Sequence, residues 1–277
     1  MSKRERSIET LHLAYEGFEA PGTFASAEEL SAYRAHLLER TRPMSDFIGT
    51  VAPDQCSTAV ELACGNGRLL IDLRTRNLIA RGKGIDIAES RIKFADDWAS
   101  EAGIGGLEFV AGDVVATSLD EEVDIALCIT GALAYFEPVE PGLAMEVLAK
   151  LHGAIRPGGV LVLELYPHPR ERLVLEALGG SATLWREMPA EDVWRFYLSR
   201  LKLDFTTQVL DHEKTFIHRE SGVVDEGRTE SLLLYTEGTI VEALSGAGFT
   251  DISLHEGWSE MSYSGGDVMV AVARRDE

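Results

Sequence analysis

Between residues 57 and 165, short apolar runs alternate with amphipathic stretches, and this alternation limits the chain to few architectures. Runs at 58–62, 84–87, 107–111, 123–130 and 160–165 read as strands, with helices near 67–78, 90–102 and 140–155. The strands are apolar almost throughout, so both of their faces must be covered. Strands and helices in strict succession then imply a parallel sheet with right-handed crossovers: an α/β, doubly wound layer. After about residue 180 the alternation stops. Segments 203–207, 214–218 and 231–235 read as antiparallel strands, with turn chemistry at Ser221-Gly222 and Glu226-Gly227. The core pattern resumes with a helix near 239–247, a stop at Gly248, and strands 249–254 and 268–273 that form a closing hairpin. Ahead of the core, residues 8–50 read as helical. Ser26-Ala27-Glu28-Glu29 has capping-box spacing, and Leu30, Tyr33, Leu37 and Leu38 recur at helical spacing. Pro43 is expected to end or kink that helix. The expected organisation is a helical lid (1–50), a core (51–180), an inserted small antiparallel sheet (181–236) and completion of the core (237–277).

The chain of 277 residues is 45% apolar, enough to bury one large core. No apolar run approaches the roughly 18–20 residues that span a bilayer. The first six residues are charged with no apolar stretch behind them, so a cytoplasmic protein is expected. Cys56, Cys64 and Cys128 lack metal-ligand spacing and read as reduced, inert thiols, with no metal site. The net charge of −20 repels a phosphate backbone and an anionic membrane surface. It suits a neutral or cationic small substrate, with no nucleic-acid or membrane partner. A small sheet with open edges favours a homodimer.

The segment Glu61-Leu62-Ala63-Cys64-Gly65-Asn66-Gly67 runs from a strand through a tight loop into a helix. Its glycines permit close backbone approach, and the helix start offers free N–H groups. A dinucleotide fingerprint needs a third glycine where Leu70 stands. Glu61 would repel a pyrophosphate but tolerate the ammonium end of a sulfonium amino acid. Asp86 ends the next strand, 21 positions after Gly65, the offset of an acid that binds ribose hydroxyls. Asp113 ends the third strand and can accept from an adenine amino group. Each feature has a plainer reading: a tight turn, a helix cap, a turn aspartate. Three in order at the carboxyl edge of one sheet are more specific than any one.

These residues resemble class I S-adenosylmethionine (SAM)-dependent methyltransferases. E-L-A-C-G-N-G (61–67) matches the family's glycine loop, G-I-D-I-A-E-S (84–90) its second-strand motif, and A-G-D-V (111–114) its adenine motif. Arg156-Pro157-Gly158-Gly159 matches the turn before the fifth strand, and Ala247-Gly248-Phe249 a segment near the sixth. The resemblance covers about residues 50–275. It implies a seven-stranded Rossmann-like sheet in the order 3-2-1-4-5-7-6, its seventh strand antiparallel, and SAM as cofactor with S-adenosylhomocysteine (SAH) as product. It also implies cofactor contacts from Glu61, Ala63, Gly65, Gly67, Asp86, Ile87, Asp113, Val114, Ile129 and Thr130, with Tyr15 and Tyr33 reaching the methionine carboxylate.

A lid and an inserted sheet look like the small-molecule N-methyltransferases that act on glycine or on nucleotide-linked amino sugars. The amino-sugar group carries His where this chain has Tyr135. Tyr135, Tyr166 and His168 are the candidate catalytic residues, with His212 and His218 placed to line an acceptor site. Trp185 and Trp194 read as core or interface anchors. The function expected is in-line methyl transfer to N or O of a small metabolite. SAM-consuming chemistry without methyl transfer, a non-catalytic SAM-binding partner and a nicotinamide dehydrogenase are the competing readings. The segment Ile129-Thr130-Gly131-Ala132 lacks the N/D-P-P-Y/F tetrapeptide of base-amine methylation.

Overall fold

Leu161, Leu163 and Leu165 point to one side of a strand while Val160 and Val162 point to the other, and all five are buried. That double burial is what a central strand of a two-faced sheet requires. The computed structural model describes residues 9, 12, 15–17, 19–119, 122–190 and 192–276. Its main elements are α1 (Ala27–Val51), β1 (Thr58–Leu62), α2 (Arg68–Thr75), β2 (Arg81–Asp86), α3 (Glu89–Glu101), β3 (Leu107–Ala111) and β4 (Val123–Cys128). A 3₁₀ turn (Ala132–Tyr135), α4 (Phe136–Val139), α5 (Leu143–Ala154), β5 (Ile155–Leu165) and α6 (Pro169–Ala177) follow. The remainder is β6 (Ser181–Glu187), β7 (Trp194–Asp204), β8 (Val209–His218), β9 (Val224–Leu233), α7 (Glu237–Gly246), β10 (Thr250–Glu256) and β11 (Met269–Arg274).

The large sheet runs β3-β2-β1-β4-β5-β11-β10. Counted without the inserted strands this is the expected 3-2-1-4-5-7-6. The five central strands are parallel, and β11 lies antiparallel to both β5 and β10. Helices α5 and α7 cover one face through Val147, Leu148, Leu151, Ile240 and Leu244. Helices α1, α2 and α3 cover the other through Phe47, Ile48, Leu69, Leu73, Ile92 and Trp98. Strands β6-β7-β8-β9 form the separate antiparallel sheet, and its apolar face packs Ala182, Leu201, Leu203 and Leu210 against Leu175 of α6. No helix among the described residues is long and apolar enough to cross a membrane.

Several local expectations are corrected. Helix α1 does not end at Pro43 but continues to Val51. Its last turns bury Met44, Phe47 and Ile48 on the core, which offsets the backbone hydrogen bond that proline cannot make. The N-terminal cap is as read: Ser26 Oγ accepts from Glu29 N at 3.1 Å. The segment 203–207 is not a strand. β7 stops at Asp204, whose carboxylate accepts from Thr206 N (2.8 Å) and Thr207 N (3.2 Å) and folds the chain into a turn. Glu226-Gly227 is no turn either; it lies within β9, where the register with β8 shifts between Glu213 and Thr215, as at a bulge. Arg156-Pro157-Gly158-Gly159 belongs to β5 rather than to a turn before it, because Gly158 N donates to Arg275 O and Arg275 N to Gly159 O.

Asp124, buried in β4, ties three strands together. It accepts from the N–H groups of Ser57 and Thr58, both at 2.7 Å, and from the side chain of Arg156. Burial alone would raise its pKa, but the Ser57, Arg156 and Thr58 hydrogen bonds outweigh it and hold the carboxyl down to about 2. A depressed carboxylate stabilises the fold above its unfolded pKa and loses that contribution as pH falls through the folded value. Asp124→Asn is therefore expected to cost about 2–4 kcal/mol in urea unfolding at pH 7. The difference from wild type should shrink as pH drops from about 4 toward 2.

Candidate active site

The carboxyl ends of β1 to β4 open onto one cavity of about 860 Å³, its open mouth included. The glycine loop meets it through Ala63. Ala63, Gly65 and Gly67 take left-handed φ values of 55°, 55° and 71°. A Cβ at Gly67 would sit 2.5 Å from the Phe109 ring, and one at Gly65 2.8 Å from Arg91 Cζ, so neither position has room for a side chain. Gly67 also precedes α2 without a side-chain cap of its own, and Arg68 N donates to Asn66 Oδ1 at 3.4 Å.

Asp86 is buried beside this loop. Its Oδ2 accepts from Gly65 N at 2.8 Å and its Oδ1 from Ala88 N at 2.9 Å. Asp113 Oδ1 accepts from Val115 N at 2.9 Å. The loop that carries Asp113, Val114 and Val115 is pinned from α5. Lys150 Nζ donates to the carbonyl oxygens of Val114 and Val115, both at 2.8 Å, and to that of Thr117.

Glu61 lies buried behind the loop, and its Oε2 has no hydrogen-bond partner among the described residues. Burial pushes its pKa up to about 8; Arg68 opposes the rise, Asp86 adds to it, and Arg91 opposes it.

The N-terminal segment folds over the cavity. Tyr15 OH donates to Tyr135 OH at 3.2 Å, and Gly17 N to Ser90 Oγ at 3.1 Å. Glu19 gathers three donors: Tyr33 OH (2.6 Å), Asn66 Nδ2 (2.7 Å) and Arg91 Nε (3.1 Å). Tyr33 is thus turned to Glu19 rather than into the cavity, and burial with Glu19 raises its pKa to about 12.

Of the residues singled out from sequence, Tyr15, Ala63, Asp86, Ile87, Asp113, Val114, Thr130 and Tyr135 line the cavity. Gly65 and Gly67 do not line it but turn the loop beneath Arg91 and Phe109, and Glu61 and Ile129 are buried. Tyr33, Tyr166 and His168 do not line it. The Tyr166 ring lies over Gly131. His168 precedes α6 with a left-handed φ of 51°, 3.8 Å from Glu171, and burial lowers its pKa. His212 Nε2 lies 2.6 Å from Ser199 Oγ and 2.9 Å from Tyr197 OH on the inserted sheet. His218 is away from the cavity, bonded to Ser221 in the β8–β9 turn. Trp185 is exposed on β6 against Phe196, while Trp194 packs on Phe216.

Sequence reading missed Lys150, Arg91, Glu19 and Glu164. Glu164 accepts from Thr130 N (2.7 Å) and Trp258 Nε1 (2.8 Å), which holds Thr130 in its left-handed turn. None of these four belongs to a spaced motif. A polar residue inside the apolar run of β5 was the one available signal, and it marks Glu164.

Residues 59–159 match the family model described as a methyltransferase domain. That stretch, from β1 to the middle of β5, is therefore similar to a methyltransferase domain. Over 147 residues it is 31% identical to the trans-aconitate 2-methyltransferase of Azoarcus sp. (strain BH72), covering 52% of this chain and 54% of that protein. The match thus spans about half the length of this curated relative. By structure the chain is similar to the CcbJ methyltransferase of Streptomyces caelestis, with a TM-score of 0.71 and 16% identity over 86% of this chain and 90% of the other. It is also similar to SAM-bound CalS10 of Micromonospora echinaspora, an amino pentose methyltransferase, with a TM-score of 0.63 and 21% identity over 91% and 98%. These likenesses show a shared fold.

The residues at the cavity fit S-adenosylmethionine. Asp86 and Asp113 line it as acceptors that ribose and adenine would need, and behind the loop the buried Glu61 carboxyl keeps one oxygen without a hydrogen-bond partner among the described residues, suited to an ammonium.

Two predictions follow from this arrangement. A carboxyl whose folded pKa is raised supports stability below its unfolded pKa and loses that support as pH rises through the folded value. Glu61→Gln should therefore raise the melting temperature of the cofactor-free protein at pH 8.5, by about 5 °C. The two proteins should melt alike near pH 5, and SAH binding should weaken in the variant. Lys150→Met should lower SAH affinity about tenfold in calorimetry by freeing the Val114–Thr117 carbonyls, with little change in fold by circular dichroism.

Proposed function

We propose that the chain transfers the methyl group of SAM to a nucleophilic nitrogen or oxygen of a small metabolite by in-line displacement. The observation that carries this reading is one cavity lined by the acids Asp86 and Asp113 on one side and by the hydrogen-bonded Tyr15–Tyr135 pair on another. Ala132, Phe136, Val139 and Leu143 line the cavity with apolar surface, suited to a small acceptor and to excluding water. Bound SAM supplies a methyl group on a positively charged sulfur. This chain's residues bind, orient and desolvate; Tyr135 touches the acceptor, and Tyr166 and His168 stand further out toward the rim.

The net charge of −20 supports a small molecule over a nucleic acid as acceptor. The relatives act on trans-aconitate and on an amino pentose, a carboxylic acid and an amine, so both acceptor classes belong in the test. The reading includes residues 1–50 as a lid, 181–236 as the acceptor-side insertion, and a cytoplasmic homodimer.

The test is incubation of the protein with SAM and a panel of amines, phenols and carboxylic acids, followed by mass spectrometry. SAH should form only when an acceptor is present, with a product one methyl group heavier. Asp86→Ala should weaken SAH binding roughly 10- to 100-fold. Consumption of SAM with no acceptor, or binding of NAD in place of SAH, would contradict the proposal.

A further inference from the structure

The N-terminal segment is fastened to the start of α3 at three places. Gly17 N donates to Ser90 Oγ, Ser90 N to the Glu16 carboxylate, and Arg91 Nε to Glu19 Oε2, each at 3.1 Å. Glu19 is the centre of this contact. Its other oxygen accepts from Tyr33 OH at 2.6 Å and, across to the glycine loop, from Asn66 Nδ2 at 2.7 Å. Its side chain is only 4% exposed. Its backbone holds a left-handed φ of 56°, which a residue with a side chain keeps only where the surrounding contacts enforce it. The Arg91 guanidinium lines the cavity together with Asp86 and presses on the glycine loop, its Cζ 2.8 Å from where a Cβ on Gly65 would stand. A buried carboxylate that does not itself line the cavity thus fixes, and offsets, a cation in the cavity wall.

A cation in that wall bears on this cofactor in particular. SAM and SAH share the adenosine and amino-acid groups and differ by one methyl group and by the positive charge on sulfur. Arg91 repels that charge, and Glu19 attracts it. Between groups partly shielded from water both effects carry beyond direct contact. We infer that Glu19 sets the preference for SAM over SAH: as the counter-ion of Arg91, and acting through it as a positioning residue, it lets an arginine-lined cavity accept the sulfonium without favouring the neutral product. This rests on the methyl-transfer reading above. Asp86 and Asp113 attract the sulfonium as well, but both stay in place when the pair is altered, so a change in preference reads Glu19 and Arg91 alone.

Calorimetry with SAM and with SAH, on the full chain at pH 7 and without an acceptor, tests this through the ratio of the two affinities. Glu19→Gln keeps the size of the side chain and removes its charge, and the ratio should move about fivefold toward SAH. Arg91→Met leaves the Glu19 charge without this cation, and the ratio should move about fivefold toward SAM. The double variant should return close to the wild-type ratio. Loss of a merely structural contact weakens both ligands together and leaves the ratio where it was. A ratio unmoved in either single variant, a shift in the same direction in both, or a double variant that does not return toward wild type overturns the proposal. Should circular dichroism show that Glu19→Gln does not fold, Arg91→Met decides alone, and a ratio that holds or moves toward SAH overturns it. Any of these results with SAM and SAH still bound by wild-type protein removes only the role of Glu19. Wild-type protein that binds neither ligand removes the methyl-transfer reading itself.

Discussion

The Asp86 carboxylate accepts one N–H from the loop after β1 and one from the loop after β2. Both oxygens are held by backbone, so the acid is fixed in direction and the two loops are fixed to each other. The cavity depends on that tie. Gly65 takes its left-handed turn under Arg91, Gly67 passes under Phe109, and α2 begins at Arg68 directly after the loop. The parallel sheet makes this possible, because it brings the ends of β1 to β4 to one edge without any of them contributing a long loop.

Around this rigid edge the cofactor side and the acceptor side are built differently. The cofactor side uses backbone and short acids on strand ends, braced by Lys150 from α5. The opposite wall of the cavity is assembled from distant pieces: Tyr15 from the N-terminal segment and Tyr135 from the turn after β4. A scaffold that holds one cofactor can therefore change its acceptor by altering pieces that leave the glycine loop untouched.

The doubly wound core was legible because its strands are short, apolar and separated by helical patterns, and the strand order came from the family resemblance. The cofactor edge was legible because Glu61, Gly65, Gly67, Asp86 and Asp113 lie at fixed offsets in one stretch of chain. Two strands of the inserted sheet, 181–187 and 194–204, escaped notice although Phe196 to Leu203 is rich in apolar and aromatic residues, because charged residues interrupt it. Pro43 misled because tertiary burial of Phe47 and Ile48 overrode a local rule. Tyr33 and Tyr166 do not line the cavity: Tyr33 OH donates to Glu19, and the Tyr166 ring lies over Gly131. Contacts such as Tyr15 with Tyr135, 120 positions apart, follow from packing and leave no local spacing to read.

The central claim is that the edge organised by Asp86 holds SAM with its reacting end turned to Tyr135. A crystal structure of the SAH complex tests it most directly. The account predicts ribose hydroxyls on Asp86, the ammonium beside the Glu61 carboxylate, and the sulfur facing the Tyr15–Tyr135 bridge. SAH seated elsewhere, or with its sulfur turned away from Tyr135, would contradict it.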